Sequence, residues 1–589
     1  MVQGIFPVER SDLKQIDKLI DDFKEFFLPK EWIWRKGQRE AIKEIVKTYI
    51  NKTHEVVVLE APVGSGKSII AMCVSFILNS IKKSGYILTS DISLQEQYER
   101  DFKNFKLNWG SIKGIDNYIC TDNDEKNSIG TCRICNKSPQ SMYCYKDCPY
   151  FSARDKAALS PTSILNYSYW LIMMNYVFSN RDENEEVKIL FQPRDFVICD
   201  EAHKIVDIVQ NHFSPKFDEF TIDKIKKLTT FYDVYKVADH RDQLKRLTSN
   251  IKKLYKEENQ EQLLNILKSI EIDLENYRPS YELLKNKIKE YSLKNKVDKQ
   301  WKDAVKLADW LKDLHCKIED YVTIISKTSS RNLIKNPQGE ETIVFNCLQE
   351  YYLMNNHFNK WNKFTVLMSA TISEPSQYLK GMAISNAKFI KMESLFDFKK
   401  SPIYYIPGHK MSFKELNNTL PWLYKKIDSI LLDHKNESGI IHSVSYDLAL
   451  KIFTNVSKES QKRLLVYNGI DEKRDVLETL KREKNKVVIG PSLLEGLNLK
   501  DDWSRFQIFA KVPYLAITDK FVEAKMKLNP SWYQWKAILN ILQGVGRSIR
   551  SENDYAITYI LDGCFGDLIH YNRKAFPLEF IQRIIVKNE

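Results

Sequence analysis

The sequence predicts an α/β protein of two parallel-sheet units, the first interrupted by a cysteine-rich insertion and by a long helical one. Three observations carry that expectation. Short β-branched runs alternate with apolar helical stretches in two sets, one before about residue 395 and one after it. Strands that read as near-continuous apolar runs separated by helices belong to parallel sheets covered on both faces. Five of the ten cysteines fall within 29 residues, and between Val206 and about Thr342 glycine almost disappears.

In chain order, EVVVLE (55–60) reads as a strand, APVGSGKS (61–68) as a loop and IIAMCVSFILNSI (69–81) as a helix. YILTS (86–90), FVICDEAH (196–203) and KFTVLMSAT (363–371) supply further buried strands. The second set is SGIIHSV (438–444), RLLVYNG (463–469), KVVIGPS (486–492), RFQIFAKVP (505–513) and AITYILD (556–562). Between the sets, Leu244, Leu247, Ile251 and Leu254 step by 3, 4, 3, and Leu263, Leu267, Ile270 and Leu274 by 4, 3, 4. Leu307, Leu311, Leu314, Ile318 and Tyr321 continue the pattern, which places one apolar stripe along each of several helices that pack together.

Composition bounds the rest. A length of 589 residues corresponds to about four folding units. With 43% hydrophobic and 28% charged residues, a mostly disordered chain is excluded. No apolar run approaches the roughly 20 residues of a bilayer crossing. MVQGIFPVERSDLKQIDKLIDDF mixes acids with bases and lacks a signal-peptide core, so a cytoplasmic chain without membrane partners is expected. The net charge of +12 favours a polyanionic partner without identifying it. Cys73, Cys199, Cys316, Cys347 and Cys564 are scattered and read as buried small hydrophobes. Cys120, Cys132, Cys135, Cys144 and Cys148 are clustered, and in a reducing compartment a cluster argues for a metal site over disulfides.

Gly64, Ser65, Gly66, Lys67 and Ser68 lie between a strand and a helix, where a phosphate loop must lie. Small residues let backbone N–H groups turn inward around a β-phosphate, and the helix N-terminus adds favourable partial charge. Lys67 would reach the β- and γ-phosphates, and the Ser68 hydroxyl would coordinate Mg²⁺. Asp200-Glu201-Ala202-His203 ends another strand, so its acids project into the crevice where α/β sheets bind ligands. Asp200 would hold the metal through water, and Glu201 would orient or deprotonate the attacking water. Ser369-Ala370-Thr371 follows a third strand. Gln543, Arg547 and Arg550 belong to QGVGRSIR, in which two arginines three apart share one helix face. Alone, RSIR would be a solvated basic face; opposite a phosphate loop, its arginines would stabilise transition-state charge.

In this order the motifs resemble those of the XPD/DinG-type iron–sulfur helicases of superfamily 2, over nearly the whole chain. EAPVGSGKS, YILTSDISLQEQY (86–98), DEAH, MSAT, PSLLEGLNL (491–499), AKVPY (510–514) and QGVGRSIRSENDY resemble successive family motifs. The resemblance implies two RecA-like parallel-sheet domains: residues 1–109, 156–205 and 343–395 in the first and 396–589 in the second. An iron–sulfur domain at 110–155 and a helical arch at 206–342 would interrupt the first. It implies that Gln38, in Trp34-Arg35-Lys36-Gly37-Gln38, contacts adenine, and that His203, Ser369, Thr371, Glu495 and Gly496 couple nucleotide state to DNA grip. It also implies a [4Fe–4S] cluster. Its first ligand would be Cys120 in GIDNYIC and its last Cys148 in CPYF, with Cys132 and Cys135 between them and Cys144 as an alternative to either. Spacing alone suits Zn²⁺ equally.

The expected function is ATP-dependent translocation on single-stranded DNA with 5′→3′ polarity and unwinding of forked duplex. Mg²⁺ and the cluster would be its cofactors, and replication, repair or defence proteins its partners, in a prokaryotic or infected host cell rather than a nucleus. A translocase or nucleoprotein remodeller that does not unwind is the alternative, and RNA stays open as the tracked strand. A redox or zinc-ribbon regulator would leave the ATPase motifs without a use. Three departures limit the transfer: the family's EGVDL acid is Asn498, the usual LDxR reads Asp562-Gly563-Cys564, and Val63 replaces Thr or Ser. The stretch before Gln38 is too short for the exonuclease domain of some relatives, so no nuclease activity is expected.

Overall fold

The computed structural model describes the chain except residues 1–12, 63, 119–147, 179–190, 219, 236–240, 293–298, 323–328, 336–340, 394–397, 413–414, 468, 492, 494–500, 547–554 and 588–589. In chain order its first ten strands are β1 (Val56–Glu60), β2 (Gly85–Thr89), β3 (Gly110–Ile112), β4 (Thr162–Asn166), β5 (Phe196–Cys199), β6 (Lys216–Asp218), β7 (Ser329–Lys335), β8 (Glu341–Cys347), β9 (Thr365–Ser369) and β10 (Lys388–Lys391). Seven of them form a parallel sheet in the order β10-β1-β9-β5-β2-β4-β3.

The four strands read from the sequence (β1, β9, β5 and β2) are contiguous at the centre of this sheet, where helices cover both faces and nearly every side chain is buried. The strands not anticipated lie outside them. In β10, two lysines flank only two apolar residues and half the strand is exposed, which hides it from a search for apolar runs.

Residues 110–112, assigned on sequence to the cysteine-rich insertion, form the edge strand β3 instead. The helix Pro149–Leu159 packs directly on that strand. A Cβ at Gly110 would stand 2.3 Å from the Ala157 Cα, so only glycine allows this approach.

The helical stretch consists of the helices Thr221–Tyr235, Arg241–Leu254, Gln260–Ser292 and Lys299–Asp320. Their predicted stripes are buried: Leu244, Leu247, Ile251, Leu254, Leu263, Leu267, Ile270, Leu274, Leu311, Leu314, Ile318 and Tyr321 share one core with the first sheet. The sequence reading did not include the antiparallel sheet β6-β8-β7 at its base. There β6 is only three residues long, and its partner lies at the far end of the insertion.

The second parallel sheet comprises β11 (Ile403–Tyr405), β12 (Gly439–His442), β13 (Leu464–Val466), β14 (Val487–Gly490), β15 (Phe506–Phe509), β16 (Ile557–Ile560) and β17 (Ile584–Val586), in the order β13-β14-β12-β15-β16-β11-β17. The five strands read from the sequence are again contiguous, and the two unforeseen ones close the far edge. Buried Asp562 ties this unit's loops together by accepting from the backbone N–H groups of Met411, Val512 and Cys564, each at 2.9 Å.

Among the described residues, the polar contacts that join the two units include an ion pair between Lys525 and Glu350. Ser373 Oγ donates to the Ala575 carbonyl at 2.7 Å, and Asn529 Nδ2 to Gln377 Oε1 at 3.1 Å. Trp535 Nε1 donates to the Ile372 carbonyl at 3.3 Å, and Lys536 pairs with Asp207 at 2.7 Å. Among the described residues, no helix is long and apolar enough to cross a membrane.

Candidate nucleotide site

The carboxyl ends of β1, β5 and β9 lie side by side, and the residues that follow them meet. After β1 the chain turns sharply: Gly64 and Gly66 adopt φ of 80° and 77°, and Ser65 N donates to the Pro62 carbonyl at 3.0 Å. The helix Lys67–Ser80 then starts without a side-chain cap on Gly66, which leaves its first N–H groups open to an anion.

Two residues brace this loop from behind. Fully buried Gln38 donates from Nε2 to the Ser65 carbonyl at 2.8 Å and accepts from Arg35 N at 2.8 Å. The Arg35 guanidinium donates to the Gly64 carbonyl. A Cβ on Gly66 would come within 2.3 Å of the Gln38 amide, so glycine is required here both by φ and by space. Both ends of the Gln38 amide are therefore engaged by backbone, a loop-supporting contact that the sequence reading, with its adenine role, did not foresee.

Asp200 follows β5 and is almost wholly buried. Its Oδ2 accepts from Tyr98 OH and its Oδ1 from Glu201 N, both at 2.9 Å. Burial, opposed by the Lys67 ammonium and reinforced by the Glu201 carboxylate, pushes its carboxyl up to about 6. A buried acid raised in this way is a group whose charged form would be restored by a cation.

Glu201 adopts the left-handed conformation, φ 52°, a strained choice for this residue that re-aims its side chain into the crevice. Its Oε1 lies 3.6 Å from Lys67 Nζ and its Oε2 3.4 Å from His203 Nδ1. His203 Nδ1 is 2.8 Å from Ser369 Oγ, which donates to the Thr371 carbonyl at 3.0 Å. A continuous polar chain thus runs from the phosphate loop through the acid pair to the end of β9.

These groups line a cleft of about 430 Å³ whose other wall comes from the second unit. Leu542, Gln543 and Gly546, at the end of the helix Pro530–Val545, face Lys67, Ser68, Asp200, Glu201, His203 and Thr371 across it. Gln38 sits behind the loop and braces it. Arg547, Arg550, Glu495 and Gly496 lie outside the described residues; in the sequence Arg547 is the residue after Gly546.

Of the clustered cysteines only Cys148 is described. It is buried at the start of the helix Pro149–Leu159 against Ile115, Tyr150 and Phe151. The Tyr118 ring, two residues before Cys120, packs on Tyr150 at 5.6 Å. The two ends of the cysteine-rich segment are therefore in contact. Cys120, Cys132, Cys135 and Cys144 lie outside the described residues, and among the described residues no group of three or more His, Cys, Asp or Glu side chains is placed to hold a metal.

Sequence reasoning missed Arg35, Tyr98, Tyr167 and Tyr378. Tyr167 OH donates to the Asp200 carbonyl at 2.9 Å and Tyr378 OH to the Ala202 carbonyl at 3.1 Å. Tyr98 lies inside a quoted motif, but no local pattern announces a contact to a carboxylate a hundred residues on.

Comparison with known proteins places this geometry. A family described as helicase C-terminal domain matches residues 430–577, and one described as type III restriction enzyme, res subunit, matches residues 31–222. The fold is that of a solved XPD helicase, with a TM-score of 0.60 at 15% identity over 94% of this chain and 99% of the other. The chain is similar to the XPD/DinG-type helicases of superfamily 2. Xpd4 of S. tokodaii gives a TM-score of 0.56 at 15% identity, covering 94% of this chain and 100% of that chain.

Among curated relatives, ATP-dependent DNA helicase CHL1 of Vanderwaltozyma polyspora is 20% identical over 488 residues, 70% of this chain and 56% of that protein. The chain thus spans little more than half the length of that relative. A probable ATP-dependent helicase of Methanocaldococcus jannaschii is 21% identical over 635 residues, 91% of this chain and 92% of that protein.

Proposed function

We propose that this chain is an ATP-driven motor that moves along single-stranded DNA with 5′→3′ polarity and separates the strands of forked duplex. The observation that carries the reading is the shared cleft, with the phosphate loop and acid pair on one wall and Gln543 and Gly546 on the other. A nucleotide held between the walls draws them together, and its hydrolysis releases them.

In that cleft the N–H groups of Gly64–Ser68 cradle the phosphates, held in shape by Gln38 and Arg35. Lys67 leaves Glu201 for the phosphates and frees that carboxylate to orient the attacking water. Ser68 and Asp200 are the side chains fitted to hold Mg²⁺, which when bound neutralises charge on the β- and γ-phosphates. Protonation of the buried Asp200 opposes that binding at acid pH. His203, Ser369 and Thr371 lie on the polar path along which a change at Glu201 reaches the end of β9. Support for the motor reading requires ATP turnover that rises severalfold on adding single-stranded DNA; turnover indifferent to DNA would overturn it.

We assign Cys120, Cys132, Cys135 and Cys148 to a [4Fe–4S] cluster, with Cys144 as the alternative to either middle ligand. The donor chemistry fits: Cys148 is buried, and the Tyr118–Tyr150 contact brings Cys120 to within two residues of its neighbourhood. When bound, the cluster supplies a rigid cross-link for the insertion. Cys148→Ser should lose iron and labile sulfide, and its unwinding should fall further than its basal ATPase. Retention of iron in Cys148→Ser, or zinc without iron in anaerobically prepared wild-type protein, would contradict the assignment. This reading places the helicase in the cytoplasm, working on single-stranded and forked DNA alongside replication, repair or defence proteins.

A further inference from the structure

Arg194 is 7% exposed and makes no ion pair among the described residues, an unusual state for a guanidinium. Its charge is met by backbone and hydroxyl oxygens instead. Nη1 donates to the Gly85 carbonyl at 2.9 Å and to Ser163 Oγ at 2.8 Å. Nη2 donates to the carbonyls of Ala157 at 3.3 Å and Ala158 at 2.9 Å. The guanidinium carbon also lies 4.4 Å above the Tyr86 ring.

Ala157 and Ala158 are in the last turn of the helix Pro149–Leu159, whose unsatisfied carbonyls carry partial negative charge. The fork of one side chain therefore grips three elements at once: the end of this helix, the start of β2 and the start of β4. Its own backbone leads within two residues into β5, the strand that ends at Asp200. Cys148 stands at the opposite end of the same helix, 11 residues or about 16 Å long at 1.5 Å per residue. Ser163 Oγ reinforces the grip by donating to the Ala157 carbonyl, and Gly110 lets the helix settle against β3.

We propose that Arg194 is a positioning residue: it locks the helix that closes the cysteine-rich insertion to the strand that carries the acid pair, so the insertion follows the ATP site as one body. The inference rests on the helicase reading above and takes the cysteine-rich insertion as the part that separates strands while the cleft hydrolyses ATP. No lysine reproduces the lock, because an ammonium lacks the planar fork that reaches Gly85 and Ala158 together.

The test uses the full chain as Arg194→Met, Arg194→Lys and the milder Ser163→Ala, with two kinds of readout. Amide hydrogen exchange over residues 149–160 should quicken about tenfold or more in Arg194→Met and less in the other two, because the donors to the last turn are lost. DNA-stimulated ATPase should stay within about twofold of wild type while unwinding of a forked duplex falls about tenfold, in the order Met, Lys, Ala. Unchanged exchange in Arg194→Met, or ATPase and unwinding falling in parallel, would overturn the proposal. If Arg194→Met fails to fold, Ser163→Ala and Arg194→Lys decide by the same ordering. Wild-type protein that does not unwind would refute the helicase reading, while the exchange measurement still judges the lock by itself.

Discussion

Lys67→Ala should lower ATP turnover by about a hundredfold or more, because the only lysine in the phosphate loop would supply positive charge where charge develops on the leaving phosphates. Its fold survives. The side chain opens the helix Lys67–Ser80 at the cleft, and its ion pair with Glu201, at 3.6 Å, is not part of any core. Glu201→Gln is the complementary variant. The amide keeps the size of the side chain and its place beside His203, so ATP still binds, but the group that orients the attacking water is gone and hydrolysis stalls. Nucleotide binding by equilibrium titration and phosphate release by steady-state assay separate the two outcomes. Undiminished turnover in either variant removes the site assignment.

Arg547→Ala and Arg550→Ala should lower kcat by about 10³ with a much smaller change in KM, the pattern of a charge that acts on the transition state rather than on ground-state binding. The argument comes from the opposite wall of the cleft. Leu542, Gln543 and Gly546 already face the phosphate loop at the end of the helix Pro530–Val545, and Arg547 is the next residue of the chain. Single-turnover rates at saturating ATP read the effect directly. Wild-type turnover in both variants would mean that the second unit does not complete the site.

The centre of each sheet was legible, and its edges were not, for one physical reason. Residues 57–59, 196–199 and 366–368, the middles of their strands, are buried and apolar throughout. Lys388–Lys391 is half exposed, and Gly110–Ile112 is three residues long and starts with the glycine its neighbouring helix requires. The chemistry of the cleft was legible for a similar reason. Phosphate loops and acid pairs are local strings whose residues act within a few positions of one another.

What supports them is nonlocal. The Tyr98–Asp200 hydrogen bond joins a helix residue to a strand end a hundred residues on, and the Gln38–Ser65 contact joins two segments that no periodicity links. Arg194 sits in QPRDF, which reads as a polar turn, and only the packed structure reveals it as a buried fork. The three-stranded sheet at the base of the helical insertion escaped because its first strand meets its partner only after four helices have passed.

Strand displacement from three DNA substrates (5′-tailed, 3′-tailed and blunt duplex), run with ATP and Mg²⁺ on anaerobically prepared protein, tests the central claim most directly. The account predicts that ATP-dependent release of the labelled strand is confined to the 5′-tailed duplex, accompanied by ATPase that single-stranded DNA stimulates and that Glu201→Gln abolishes. Stimulated ATPase with no strand release on any substrate would contradict unwinding and leave a translocase, and release from the 3′-tailed duplex alone would contradict the direction of travel.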